Sequence, residues 1–166
     1  TNTDPTLQFE YIKQWVVAFV STFTTVNQII VTDGSGIGEN GTFEGLNKYS
    51  YHIILHTEHY LDGESSYKAF KTHLLNALYK ETNEYLKDGI KDSWAVDTSI
   101  YGLRQQFKFP YQSKQGSHRV HQVVGNDNWL LEDFLVCPLT LSNTFPLVIR
   151  EPDEDIDKNV TEKVKK

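Results

Sequence analysis

Apolar residues recur at three- and four-residue steps through Phe9, Ile12, Val16, Phe19, Val20 and Phe23, the spacing of one buried helical face. Asp4-Pro5 just before them is a start signal, an N-cap carboxylate followed by proline at the first helical position. A second stripe, Phe70, Leu74, Ala77, Leu78 and Tyr85, predicts a helix over about residues 66–87, with Gly89 as its stop. Between the two stripes, residues 28–32 and 48–56 read as strands, and residues 33–45 as a glycine-rich surface loop. Further on, 94–96, 103–109 and 119–124 are short and strand-like, 129–134 suits a helical turn, and 135–138 a short extended piece. Helices interspersed with hairpin-like strands imply an α+β fold, a mostly antiparallel sheet packed against two long helices.

The 166 residues suffice for one core, and the expected layout is a core over 1–149 followed by a charged linker or tail over 150–166. Apolar residues make up 39% of the chain, with nine tyrosines and nine phenylalanines, which excludes a disordered, collagen-like or coiled-coil protein. A single cysteine, Cys137, leaves no intramolecular disulfide and disfavours a cysteine-based zinc site. No apolar run approaches the roughly 18 residues that cross a bilayer, and residues 1–8 lack the basic end and apolar core of a signal peptide. A soluble, intracellular domain without a membrane partner is the expectation.

Charge adds a sharper feature. The net charge of -6 argues against a uniformly basic protein. Yet no acidic residue lies between Asp97 and Asp127, while Arg104, Lys108, Lys114 and Arg119 do, with His118 and His121 beside them. Phe107, Phe109, Pro110 and Tyr111 interleave this run, and a cationic strip backed by aromatics suits a polyphosphate or a nucleic-acid backbone. A solvated loop or edge strand kept soluble by lysines is the plainer alternative.

The glycines at 34, 36, 38 and 41 follow a strand but do not form G-x-G-x-x-G, and no amphipathic helix begins after them, which disfavours a dinucleotide site. His52, His56 and His59 resemble a metal-ligand set, but on a strand the first two sit roughly 13 Å apart at about 3.3 Å per residue. That is too far for one ion. Strand alternation instead puts Lys48, Ser50, His52 and His56 on one face and Tyr51, Ile53 and Leu55 on the other. In 103–109 the same parity sets Arg104, Gln106 and Lys108 against Leu103, Phe107 and Phe109. If both polar faces belong to one sheet, they form a concave surface that would bind a triphosphate. Asp97 is the last carboxylate before the basic stretch, suited either to an Asx turn with Thr98 or Ser99 or to holding a divalent metal against phosphates.

These pieces, in this order, resemble the archaeo-eukaryotic primase superfamily, and within it the primase domains of poxvirus- and asfarvirus-type primase-helicases; eukaryotic primase-polymerases are similar too. The family's Ser-x-His strand is matched by Ser50 and His52 in KYSYHII, and its Asp with Tyr four residues later by Asp97 and Tyr101. The strand followed by Ser-Lys is matched by Lys108, Ser113 and Lys114, and the acidic-aromatic signature of the viral branch by LEDFL at 131–135. Lys108 stands where the family usually has arginine, which keeps the charge but loses the bidentate fork; Arg104 could compensate. The family's first motif, two carboxylates alternating on a strand, has no match, and the expectation is that it lies upstream of Thr1.

The resemblance implies a primase-polymerase catalytic core related to the RRM fold and incomplete on its N-terminal side. It implies two-metal nucleotidyl transfer with Mg²⁺ or Mn²⁺, making primers on a single-stranded DNA template. Asp97 would be a metal ligand and, with His52, catalytic. Lys48, Ser50, His52, Arg104, Lys108, Ser113 and Lys114 would bind the nucleoside triphosphate, and Arg119 and His121 the nucleic acid. It further implies a helicase domain in the same polypeptide and a viral replication site in the host cytoplasm. Two rivals stand beside it: a non-catalytic nucleotide or single-strand binding module, and a viral structural or scaffold domain.

Overall fold

The computed structural model describes residues 4–41, 44–87, 94–100, 109–125, 129–134 and 145–153. Its elements, in chain order, are α1 (Pro5–Ser21), β1 (Val26–Asp33), β2 (Gly36–Ile37), β3 (Asn47–Lys48), β4 (Tyr51–Thr57), β5 (His59–Leu61), α2 (Gly63–Tyr79), β6 (Gln122–Val123) and β7 (Phe145–Leu147). Short 3-10 turns lie at Glu84–Leu86, Thr98–Ile100 and Leu131–Phe134. The protein is α+β, with two long helices and a small antiparallel sheet. The chain divides into two compact units, one of Thr1–Phe23, His59–Gln105 and Phe145–Lys166, the other of Thr24–Glu58 and Gln106–Thr144. The predicted strand 103–109 and the extended piece 135–138 fall outside the described residues, apart from Phe109. Among the described residues no helix is long and apolar enough to cross a membrane.

The first unit holds both helices. Asp4 caps α1 as its sequence implies, its Oδ1 accepting from the Thr6 N–H at 2.9 Å with Pro5 at the first helical position; such a cap is worth about 1 kcal/mol. Helix α2 begins three residues earlier than predicted and ends at Tyr79 rather than near Lys87. The polar stretch Glu81, Thr82 and Asn83 interrupts it, and the Asn83 side chain accepts from the Tyr85 N–H to start a separate 3-10 turn. That turn still buries Leu86 with Phe70, Leu74, Leu78 and Ile149, so the apolar repeat continues through a change of helix type. Trp15, Phe19, Val20 and Phe23 of the first helical stripe pack against this cluster, with Phe19 edge-on to Phe70 at 5.4 Å. Gln8 ties the first helix to the 3-10 turn by donating to the Tyr85 and Lys87 carbonyls. Strands β5 and β7 pair in parallel, an arrangement that short-range patterning does not signal, and the buried Ser66 hydroxyl accepts from the Ile149 N–H beside them.

In the second unit the sheet order is β4-β1-β6, with both pairings antiparallel. Directly opposed residues share a face, so Ile30 with Ile54, Thr32 with His52 and Gln28 with His56 all lie on one side. The structure corrects the expected polar face. Ile54 lies between the two histidines at the same parity and forms a core with Ile30 and Phe134, against which Phe109, Val123 and Trp129 pack. The histidine side is therefore a packed face, and His56 donates from Nε2 to the Asp133 carbonyl at 2.7 Å. Strand 48–56 is also broken: Lys48 belongs to β3, Tyr49 and Ser50 lie outside the strands, and β4 starts at Tyr51. Predicted strand 119–124 pairs as a strand only over Gln122–Val123, because the His121 backbone bonds elsewhere, accepting from the Tyr111 N–H and donating to the Gln112 carbonyl.

Leu78 is fully buried. Leu78→Ala should cost about 2–5 kcal/mol in denaturant unfolding, whereas Leu7→Ala, at a position 58% exposed, should be within about 0.5 kcal/mol of the parent.

Candidate functional site

Strand β1 ends at Asp33 and runs into the Gly34-Ser35-Gly36 turn, against which Thr32, Ser50, Arg119 and His121 gather. Asp33 Oδ1 accepts from the Ser35 N–H at 2.8 Å, an Asx turn that directs the chain into β2. Ser50 locks onto the turn twice: its N–H donates to Ser35 Oγ at 2.9 Å and its carbonyl accepts from the Gly34 N–H at 2.8 Å. Strand β3 pairs β2 with Lys48 opposite Gly36. The stretch from 34 to 38 is thus one arm of a short hairpin rather than the expected loop.

Two side chains from the basic segment lie across this backbone. The His121 imidazole sits so close to Gly34 that a Cβ there would be 2.5 Å from Nε2. Arg119 lies over Gly36, where a Cβ would meet its Cγ at 3.0 Å. These glycines are therefore a requirement of close approach and not of loop flexibility. His121 is 3% exposed; its Nδ1 and the Thr32 hydroxyl hydrogen-bond at 3.2 Å, and its ring stacks on His52 with centroids 4.1 Å apart and planes 21° from parallel. Arg119 donates from Nη1 to the Gly34 carbonyl at a long 3.5 Å. Its Nε is buried and makes no hydrogen bond among the described residues. An unmet buried donor of this kind costs about 1–3 kcal/mol.

The sequence-predicted residues distribute as follows. Lys48, Ser50, His52, Ser113, Lys114, Arg119 and His121 all belong to the second unit. Of these, Ser50, His52, Arg119 and His121 gather around the Gly34–Gly36 turn, with Lys48 paired to it through its backbone. Ser113 and Lys114 are exposed in the segment that follows the Pro110-Tyr111 turn. Arg104 and Lys108 lie outside the described residues. Asp97 belongs to the first unit and is exposed, and its Oδ1 accepts from both the N–H and the hydroxyl of Ser99, the Asx arrangement its sequence context allows. The acidic-aromatic stretch is partly structural: Phe134 enters the core, Asp133 Oδ2 accepts from the Leu130 N–H, and Leu135 lies outside the described residues.

Three residues escaped sequence reasoning. Thr32 is one, though its parity on β1 matches that of His52. Gly34 is another. The third is Glu39, whose Oε1 accepts from the His118 N–H at 2.8 Å and the Ser117 hydroxyl at 3.1 Å, tying the basic segment to the hairpin. The Glu39 carboxyl is held below its ordinary value, chiefly by the His118 N–H, with the Ser117 hydroxyl and the His118 and Arg119 charges adding to the effect against partial desolvation. On the opposite sheet face the Tyr51 phenol is pushed up by burial and then by the Asp33 charge, so it stays neutral through physiological pH.

For a divalent metal, Asp97 offers one carboxylate, whose Oδ1 already accepts two bonds from Ser99. Among the described residues no group of three or more His, Cys, Asp or Glu side chains is arranged to hold an ion. One hard oxygen fits Mg²⁺ or Mn²⁺ as a partial ligand set, to be completed by phosphate oxygens or further carboxylates.

Gly34→Ala should displace the His121 ring and destabilise the second unit by about 1–3 kcal/mol, an overpacking cost readable by thermal unfolding. Glu39 should titrate below an ordinary glutamate in a carboxyl-carbon NMR titration. Its pKa is lowered on folding, so the tether contributes stability above the unfolded-state value and loses it as pH falls through the depressed one. Glu39→Gln should remove that acid-limb loss. No family model, curated protein or solved structure matches this chain, so what the site does is inferred from its own residues.

Proposed function

We propose that this chain is the nucleotide-binding portion of a primase-type nucleotidyltransferase, which takes nucleoside triphosphates and extends a primer on a single-stranded DNA template. The observation carrying this reading is the direct stacking of His52 on His121, with Ser50 and Arg119 on the same glycine turn. The stretch that resembles the Ser-x-His motif thereby meets Arg119 and His121 of the basic segment within one unit. Imidazole, hydroxyl and guanidinium groups around a glycine backbone suit a polyphosphate, which needs several fixed donors and a floor without side chains.

In this reading the Arg119 guanidinium holds a phosphate through its unused N–H groups, and Ser50 donates its hydroxyl to a neighbouring phosphate oxygen. The His52–His121 pair sets the position of both, with Thr32 fixing the ring of His121. Lys48 and Lys114 add positive charge, so that negative charge developing on the pyrophosphate leaving group is stabilised. A bound Mg²⁺ or Mn²⁺ would neutralise phosphate charge and polarise the α-phosphate, and Asp97 of the first unit is the metal ligand that the primase resemblance implies. The α-phosphorus gains a bond to the primer 3′-oxygen and loses its bond to pyrophosphate. A helicase domain in the same polypeptide and a viral replication setting belong to the same proposal.

A second reading, a nucleotide or single-strand binding module without catalysis, is favoured by one observation: Asp97 already spends Oδ1 on the Ser99 turn. Asp97→Asn keeps that turn and removes the charge, so it separates the two. With nucleotide and Mn²⁺ followed by calorimetry, the primase reading expects Asp97→Asn to abolish the metal-dependent part of binding, and the module reading expects no change. Arg119→Ala should weaken nucleotide binding by about 1.5–3 kcal/mol in either case, roughly 10- to 150-fold. Unchanged affinity there would remove the site from consideration.

A further inference from the structure

Tyr111 is 64% exposed, yet its surroundings are built to hold it still. It follows the buried Pro110 and adopts a φ of 63°, the left-handed region that a tyrosine enters only under constraint. Its N–H donates to the His121 carbonyl at 2.6 Å, and the Gln112 N–H closes the turn on the Phe109 carbonyl. On its inner side the ring meets Trp129 at 6.2 Å between centroids and 38° between planes. Trp129 in turn stands edge-on to Phe134 at 5.1 Å, and Phe134 is 3% exposed. A ladder of three aromatic rings thus runs from the core of the second unit to the surface, and its last ring is open to solvent.

The chemistry around that ring narrows what it can take. The stretch between Asp97 and Asp127 has no acidic residue, and within it the exposed Lys114 stands three residues from Tyr111. The carboxylate that reaches this segment from outside, Glu39, already has its Oε1 committed to Ser117 and His118. A flat exposed ring in an acid-free segment, three residues from an exposed lysine, matches an unpaired base joined to phosphates. Duplex DNA hides its base faces, and an acidic peptide has no use for the ring.

We infer that Tyr111, backed by Trp129, is a stacking platform for one base of a single-stranded nucleic acid whose phosphates pass Lys114. The inference rests on the proposed function for its choice of ligand and adds the residues that would grip the template. It is tested on the full chain by fluorescence anisotropy with labelled oligothymidylate and oligoadenylate, alongside calorimetry with a nucleoside triphosphate. Tyr111→Gly removes the ring and suits the left-handed backbone, so the turn is retained; Tyr111→Trp restores a ring.

Tyr111→Gly should weaken oligonucleotide binding about 5- to 150-fold, the range one stacked base carries, with nucleotide binding unchanged. Tyr111→Trp should bind like the parent, and Lys114→Ala should lower the slope of log affinity on log salt by about one. Equal affinity of the glycine variant and the parent would overturn the platform and leave the proposed function standing. So would a parent that binds nucleotide but no single strand, and the exposed rings would then be free to serve a protein partner. A parent that binds single strands through Tyr111 but no nucleotide would overturn the proposed function and leave the platform.

Discussion

The contact between the His52 and His121 rings, closed from below by the bare backbone of Gly34, is the constraint on which the second unit's chemistry depends. The His121 imidazole could not occupy its place if residue 34 carried a side chain, and Arg119 lies over Gly36 with a looser approach of 3.0 Å to a Cβ there. Ser50 is held to the same turn by two bonds, one to the Ser35 hydroxyl and one from the Gly34 N–H, and Thr32 hydrogen-bonds His121 through its hydroxyl. The glycines, the histidines and the arginine therefore form one interdependent group. Loss of any close approach loosens the others, because packed interiors do not deform gradually.

This arrangement explains why a buried polar region is tolerated beside an apolar core. Ile30, Ile54 and Phe134 remove surface from water at one end of the face, while at the other end His121 hydrogen-bonds Thr32 and stacks on His52. Most of the polar atoms there have partners. The Nε of Arg119 is a buried donor with no hydrogen bond among the described residues.

Much of the fold was legible in the sequence, and the reasons are local. Asp4-Pro5 and the spacing from Phe9 to Phe23 specify α1 because capping and helical periodicity are short-range effects. The strand over 28–32 was equally clear from its β-branched run, though the pairing extends it to Val26–Asp33. What could not be read from the chain was long-range. The isoleucines Ile53 and Ile54 place an apolar residue on each face of β4, so parity alone did not reveal that the histidine side is packed. The end of α2 was missed because Tyr85, the last residue of the stripe, belongs to a separate 3-10 turn, and the parallel pairing of β5 with β7 joins segments more than 80 residues apart. As for the site, Ser50, His52, Arg119 and His121 were singled out from residue type and spacing. Gly34 and Thr32 were not, since their importance arises from a ring delivered by a distant segment.

The most direct test of the account is the Arg119 Nε–H resonance in a proton–nitrogen spectrum, recorded as nucleoside triphosphate is added to the full chain. The account predicts a progressive downfield shift that saturates with the bound fraction, accompanied by shifts of the His52 and His121 ring protons. Nucleotide binding that leaves the Arg119 Nε–H and both imidazoles unmoved would contradict it.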